Sequence, residues 1–216
     1  MDNSQYIQEA YKVLRTNVTY SLDDEEGGKL IMLASAHKNE RKSITAINLA
    51  ASFACAGNRV LLMECNLRRP ILGKLLDLKY KKGLSLLLLN PDMLSDCIAP
   101  SGVPGLEVIL AGDVPSNPSE LLGSPGMQKI FDRLKEIYDF VIIDTSPVNL
   151  VTDASILAPY VNGVLLVVRA DVSDKESVAR ALEQLEYSKT KILGFVLNGL
   201  KMKKWMREVK SYENNV

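Results

Sequence analysis

One histidine, one tryptophan and three cysteines are all that 216 residues supply of these types, and each scarcity closes a route. Cys55, Cys65 and Cys97 are odd in number and share no C-x-x-C spacing, which argues against a disulfide framework and a cysteine zinc site alike. They read as buried thiols of a reducing cytosol. His37 has no serine, cysteine or acid pattern beside it that would suggest a triad, so it reads as a surface residue. An excess of either charge is also missing. The 26 Lys and Arg balance 26 Asp and Glu, so no overall field draws the chain to nucleic acid. No stretch approaches the ~20 apolar residues of a spanning helix, and Met1 to Leu14 carries Asp2, Glu9 and Lys12 where a targeting signal has its apolar core. The expected location is cytoplasmic, with any contact at the inner face of the membrane made through a partner.

Hydrophobic residues at 47% and charged residues at 24% suit one globular domain with a buried sheet. Ile7, Tyr11, Leu14 and Val18 recur at three- and four-residue steps, the period of an amphipathic helix over Gln5 to Tyr20. Short continuous apolar runs follow at Leu30–Ser35, Val60–Glu64, Leu106–Leu110, Phe140–Asp144, Gly163–Arg169 and Ile192–Leu197, as strands buried on both faces require. Helical patterns lie between them at Ser43–Ala56, Ser124–Ile137, Thr152–Ala158 and Asp174–Tyr187. This alternation predicts a doubly wound α/β domain with a mainly parallel sheet, whose ligands bind beyond the carboxyl ends of the strands. Ala111 to Pro125 reads as an ordered surface loop. The expected organisation is a helix and turn over 1–28, the α/β domain over 29–198, and a basic tail over 199–216 in which Lys201, Lys203, Lys204, Arg207 and Lys210 surround Trp205.

The strand Leu30–Ser35 runs into Ala36-His37-Lys38-Asn39-Glu40-Arg41-Lys42-Ser43, and a helix follows. A phosphate-binding loop needs this order, with a Lys for the terminal phosphates and a Ser or Thr for magnesium opening the helix. Glycine is favoured in such a loop because the backbone visits conformations closed to a Cβ and lets an oxygen approach closely. Here Asn39 and Arg41 stand instead, at ~1–3 kcal/mol for each residue held in a sparsely populated region. Two further strands end near acidic or amide groups: V-L-L-M-E-C-N-L-R-R-P from Val60 to Pro70, and Y-D-F-V-I-I-D-T-S-P from Tyr138 to Pro147.

With E-A-Y-K-V-L-R-T-N at Glu9–Asn17, I-L-A-G-D-V-P-S-N-P-S-E-L-L at Ile109–Leu122, V-T-D-A-S-I-L-A-P at Val151–Pro159 and G-F-V-L-N at Gly194–Asn198, nearly the whole chain resembles the bacterial tyrosine kinases of capsule and exopolysaccharide assembly. The broader P-loop architecture is shared with MinD and ParA ATPases. The resemblance implies phosphotransfer from ATP to protein tyrosine. It places the nucleotide on Asn39, Glu40, Arg41, Lys42, Ser43 and Ile44, with Lys42 on the β and γ phosphates, and adds Arg69 and, for the adenine, Asn198. An Asn198 that bonds backbone near its own strand end is the alternative reading. Magnesium is implied at Ser43, Asp144 and the position of Asn66; Glu64 and Asp144 are the implied catalytic carboxylates, with Lys42 as catalytic cation. Ring assembly of a homo-oligomer is implied through Glu9, Lys12 and Arg15, a phosphoacceptor at Tyr212, and a membrane-anchored activator of the chain-length regulator type as partner.

Four departures from the family pattern weaken that expectation. Asn39 and Arg41 replace glycines; Asn66 replaces an aspartate, and losing one charged contact to a hard cation costs ~1.5–3 kcal/mol; the tail has Tyr212 where the family has a run of tyrosines. Weak or lost transfer is therefore expected. The alternatives are a pseudokinase scaffold that binds the activator, and a MinD- or ParA-like ATPase.

Overall fold

A computed structural model of the protein describes residues 3–22 and 26–200. In chain order the elements are α1 (Asn3–Ser21), β1 (Lys29–Ser35), α2 (Lys42–Ala54), β2 (Val60–Glu64), α3 (Leu72–Leu75), α4 (Leu84–Leu89), α5 (Leu94–Cys97), β3 (Ile98–Pro100), β4 (Leu106–Ile109), α6 (Pro118–Leu122), α7 (Pro125–Ile137), β5 (Phe140–Asp144), α8 (Asp153–Leu157), β6 (Gly163–Arg169), α9 (Lys175–Glu186) and β7 (Ile192–Asn198). The basic tail and Tyr212 lie outside the described residues.

The seven strands form one sheet in the order β3-β4-β2-β5-β1-β6-β7. Every pairing is parallel except the short edge strand β3, which runs antiparallel to β4. Successive side chains on a strand point to opposite faces, and the apolar runs divide accordingly. Leu30, Met32, Leu61, Met63, Val141 and Ile143 enter one core; Ile31, Leu33, Val60, Leu62 and Ile142 enter the other, against α2. The runs are continuous because both faces are covered.

This alternation also aims the strand ends. Asp144 pairs in register with Leu33 of β1 and Glu64 of β2, so both carboxylates emerge on the α2 face. The chain beyond β5 is sewn over the neighbouring strand ends. Thr145 Oγ1 donates to the Leu33 carbonyl (2.8 Å), Val148 N–H to that of Ser35 (2.8 Å), and Cys65 N–H to that of Asp144 (2.8 Å).

Several expectations need correction. In α1, Tyr6 is buried where Ile7 was expected, and Ile7 is exposed. The stretch 111–125 carries α6, with Pro118 and Leu122 buried; one helical turn is too short to show a period. Cys55 is exposed, unlike Cys65 and Cys97.

Gly83 opens α4, whose first N–H groups bond the carbonyls of Leu110 and Ala111. A Cβ there would sit 2.3 Å from the Leu110 oxygen and 2.4 Å from the Gly112 nitrogen. Both obstacles are backbone and cannot rotate away. Gly83→Ala is expected to destabilise the fold by about 1–3 kcal/mol, as overpacking does. A urea midpoint unchanged from the natural protein would disprove the close approach.

Candidate nucleotide site

The loop between β1 and α2 has the shape its glycine-free sequence seemed to oppose. Asn39 (φ 65°) and Arg41 (φ 63°) both occupy the left-handed region, Arg41 immediately ahead of α2 and without a side-chain cap on the helix. A non-glycine residue there costs roughly 1–2 kcal/mol, and the surroundings supply the compensation. Asn198 Nδ2 donates to the Glu40 carbonyl (3.1 Å) and to Thr45 Oγ1 (3.0 Å). Arg169 Nη1 donates to the Asn39 carbonyl (2.9 Å). The Glu40 carboxylate is buried and accepts from His37 N–H (2.8 Å) and the Ser173 hydroxyl. Bonds of this kind contribute about 0.5–1.5 kcal/mol each, enough together to hold two strained residues. His37 is thus part of the loop and half-buried, not a free surface residue.

Lys42, at the start of α2, is buried and makes an ion pair with Asp144 at the end of β5. The second oxygen, Asp144 Oδ2, is buried with no hydrogen-bond partner among the described residues.

Glu64, expected as a catalytic carboxylate, is buried at the end of β2 with its side chain turned to backbone donors. Its Oε1 accepts from the N–H groups of Ile71 and Leu72, which open α3, and its Oε2 from Ala111 N–H (3.2 Å). Burial pushes its carboxyl above the usual range, against the opposite pull of these three donors.

Asn66 Oδ1 accepts from Arg69 N–H (3.2 Å) and lies 2.9 Å from Ser146 Oγ. Ser146 leads into a network that sequence reading missed. Asp153, fully buried at the start of α8, receives the Ser146 hydroxyl (2.8 Å), the Ser119 hydroxyl (3.0 Å) and Arg68 Nε (3.0 Å). Arg68 Nη2 reaches Ser119 Oγ at 2.6 Å. A carboxylate inside an otherwise apolar helix start was the available signal, because a buried charge demands a partner.

Between these parts opens a cavity of about 820 Å³ lined by Asn39, Glu40, Arg41, Lys42, Ser43 and Ile44 on one side and by Asn66, Arg68, Arg69, Ser146 and Pro147 on the other. Asn198 is not on its wall; it braces the loop from behind. On α1, Lys12 pairs with Glu9 (3.0 Å), both exposed. Arg15 instead donates to the Ser52 carbonyl on α2, so its guanidinium ties α1 to its own domain.

The residues present fit a magnesium nucleotide in part. Unbonded N–H groups at a helix start and a partly free buried carboxylate oxygen suit phosphate and hydrated Mg²⁺. Ser43 and Asp144 would hold the metal; Asn66 offers only a neutral amide.

A family model described as an AAA domain matches residues 28–192. The tyrosine-protein kinase YwqD of Bacillus subtilis is 37% identical over 91% of this chain and 82% of its own length. The kinase domain of the Escherichia coli tyrosine kinase ETK superposes with a TM-score of 0.85 at 32% identity, covering 90% of this chain and 76% of that one. The chain belongs to the bacterial tyrosine kinase family. Its fold is that of the P-loop NTPases at large: the cell division ATPase MinD of Pyrococcus furiosus, 23% identical over 81% of this chain and 74% of its own, matches with a TM-score of 0.68. Among the described residues no helix is long and apolar enough to cross a membrane.

The segments P-S-N-P-S-E-L-L and V-T-D-A-S meet each other through Ser119 and Asp153. Asp153→Ala strips acceptors from Arg68, Ser119 and Ser146 at once. With Arg68 partly solvated, a loss of about 2–3 kcal/mol is expected, and a smaller one for Asp153→Asn, which keeps an acceptor. Urea midpoints of both variants equal to that of the natural protein would show that charge and hydrogen bonding at this position do not matter.

Proposed function

We propose that the chain binds ATP and ADP in the cavity ahead of α2 and transfers phosphate to protein tyrosine only weakly, in capsule or exopolysaccharide synthesis. The observation that carries the first half is the loop itself. It keeps left-handed backbone at both non-glycine positions, and Lys42 stands at the helix start with a buried carboxylate behind it. A loop that had lost its purpose would have no reason to bear that strain.

The second half rests on the carboxylates. A tyrosine hydroxyl needs a base within hydrogen-bond reach before it can attack, and Glu64 is already engaged by three backbone N–H groups. Asp144 is neutralised by Lys42, and Asn66 carries no charge. Bound Mg²⁺, held by Ser43 and Asp144, would supply charge neutralisation of the phosphates. Lys42 would exchange part of its pairing with Asp144 for the terminal phosphates, leaving Asp144 freer to accept a proton or orient a metal-bound water.

The family reading brings a membrane-anchored activator as partner, a cytoplasmic place beside the membrane, and assembly of several copies through α1. The exposed Glu9 and Lys12 remain available for such a contact. Division at residues 28 and 198 into helix, kinase-like domain and tail belongs to the same reading. A second reading, a scaffold that binds the activator without transfer, is favoured by the engagement of Glu64.

Calorimetry with ATP and ADP, followed by phosphotyrosine detection, separates the two. Micromolar binding with faint transfer is expected, and Asn66→Asp should raise transfer about tenfold by restoring a contact of ~1.5 kcal/mol. Absence of nucleotide binding would leave the scaffold reading standing alone.

A further inference from the structure

The charge around the cavity is far from that of the molecule. The chain as a whole is neutral, yet six cationic side chains line this one opening: Lys38, Arg41, Lys42, Arg68, Arg69 and Arg169. Lys42 is balanced by Asp144 and Arg68 by Asp153. The remaining four have no carboxylate partner among the described residues. Glu40 is the one carboxylate among the lining residues, and its oxygens are taken by His37 N–H and Ser173.

Arg41 is the cation nearest in sequence to the phosphate-holding Lys42. It is exposed, it lines the cavity, and its backbone is held in the left-handed region by neighbours that do not engage its guanidinium. Arginine presents a planar fork of donors that matches phosphate oxygens two at a time. Meanwhile the oxygens a divalent cation would seek are few. Asn66 is neutral and bonded to the Arg69 N–H, Glu64 is turned to α3, and what remains is the Ser43 hydroxyl and Asp144 Oδ2, the latter beside the Lys42 cation.

We infer that Arg41 neutralises phosphate charge alongside the metal and in its absence, so that this chain holds nucleoside di- and triphosphates with or without Mg²⁺. The inference rests on the nucleotide-binding reading above. It turns Arg41 from an obstruction into a ligand. An excess of four unpaired cations answers the negative charge of a polyphosphate, and a divalent ion adds little to a site already so positive.

The test is calorimetric titration of ADP in Mg²⁺ and in EDTA, for the natural protein, Arg41→Gly and Arg41→Lys. The natural protein is expected to change affinity by less than about threefold on chelation. Arg41→Gly, whose glycine is at ease at this φ, is expected to bind in Mg²⁺ and to lose about tenfold or more in EDTA, the scale of one charge-assisted contact. Arg41→Lys should fall between them and nearer the natural protein. A tenfold loss in EDTA for the natural protein overturns the inference while leaving nucleotide binding intact. Loss of Arg41→Gly binding even with Mg²⁺ present overturns it too, since the metal would then not serve without Arg41. If the natural protein binds ADP under neither condition, the nucleotide-binding reading itself fails.

Discussion

The buried ion pair between Lys42 and Asp144 joins the first turn of α2 to the end of β5, and the rest of the site is arranged around it. Both side chains are nearly or fully out of water, at 7% and 0% exposure, where either charge alone would be very costly. Removing one partner of such a pair typically costs 3–5 kcal/mol. The pair therefore fixes where α2 begins, and with it the direction of the loop that precedes the helix. It depends in turn on the sheet order. Asp144 can face the start of α2 only because β5 lies beside β1, in register with Leu33.

Given that anchor, the loop from Ala36 to Arg41 has little freedom. It must turn from the end of β1 to a helix whose first residue is already placed, and it does so through left-handed residues at Asn39 and Arg41. Glycine would make this turn without help. Here the help comes from β6, β7 and the segment after β6: Arg169, Asn198 and Ser173 each hold a different group of the loop. Strain in one segment is balanced by hydrogen bonds from residues more than a hundred positions away, so the loop and the far strands form one structural unit.

The strands were legible because a sheet covered on both faces writes continuous apolar runs, and Phe140–Asp144 and Gly163–Arg169 are read without error. The loop and its Lys-Ser were legible because order along the chain defines them. What could not be read was pairing across the chain. Arg68 and Asp153 are 85 positions apart, and Ser119 and Asp153 34 apart; no local pattern announces such contacts. Glu64 shows a different limit. The end of a strand tells where a carboxylate starts, but its side chain is flexible enough to turn toward the N–H groups of α3. Arg15 on α1, expected at a contact between subunits, likewise reaches across to the Ser52 carbonyl of its own α2.

The carboxylates close to the cavity thus share one fate. Glu40 serves the loop, Glu64 serves α3, Asp144 serves Lys42 and Asp153 serves Arg68. Each acid is committed to holding the structure, while Lys38, Arg41, Arg69 and Arg169 line the opening without an acid to meet them. An arrangement of this kind recognises anions well, since donors are in place and cations are unpaired. The proposed weakness in proton abstraction follows from placement, because Glu64 is turned to the backbone N–H groups of Ile71, Leu72 and Ala111 and Asp144 to Lys42. On the proposed reading, binding and chemistry, joined elsewhere in phosphoryl transfer, would separate along the line between the basic and the acidic side chains of this site.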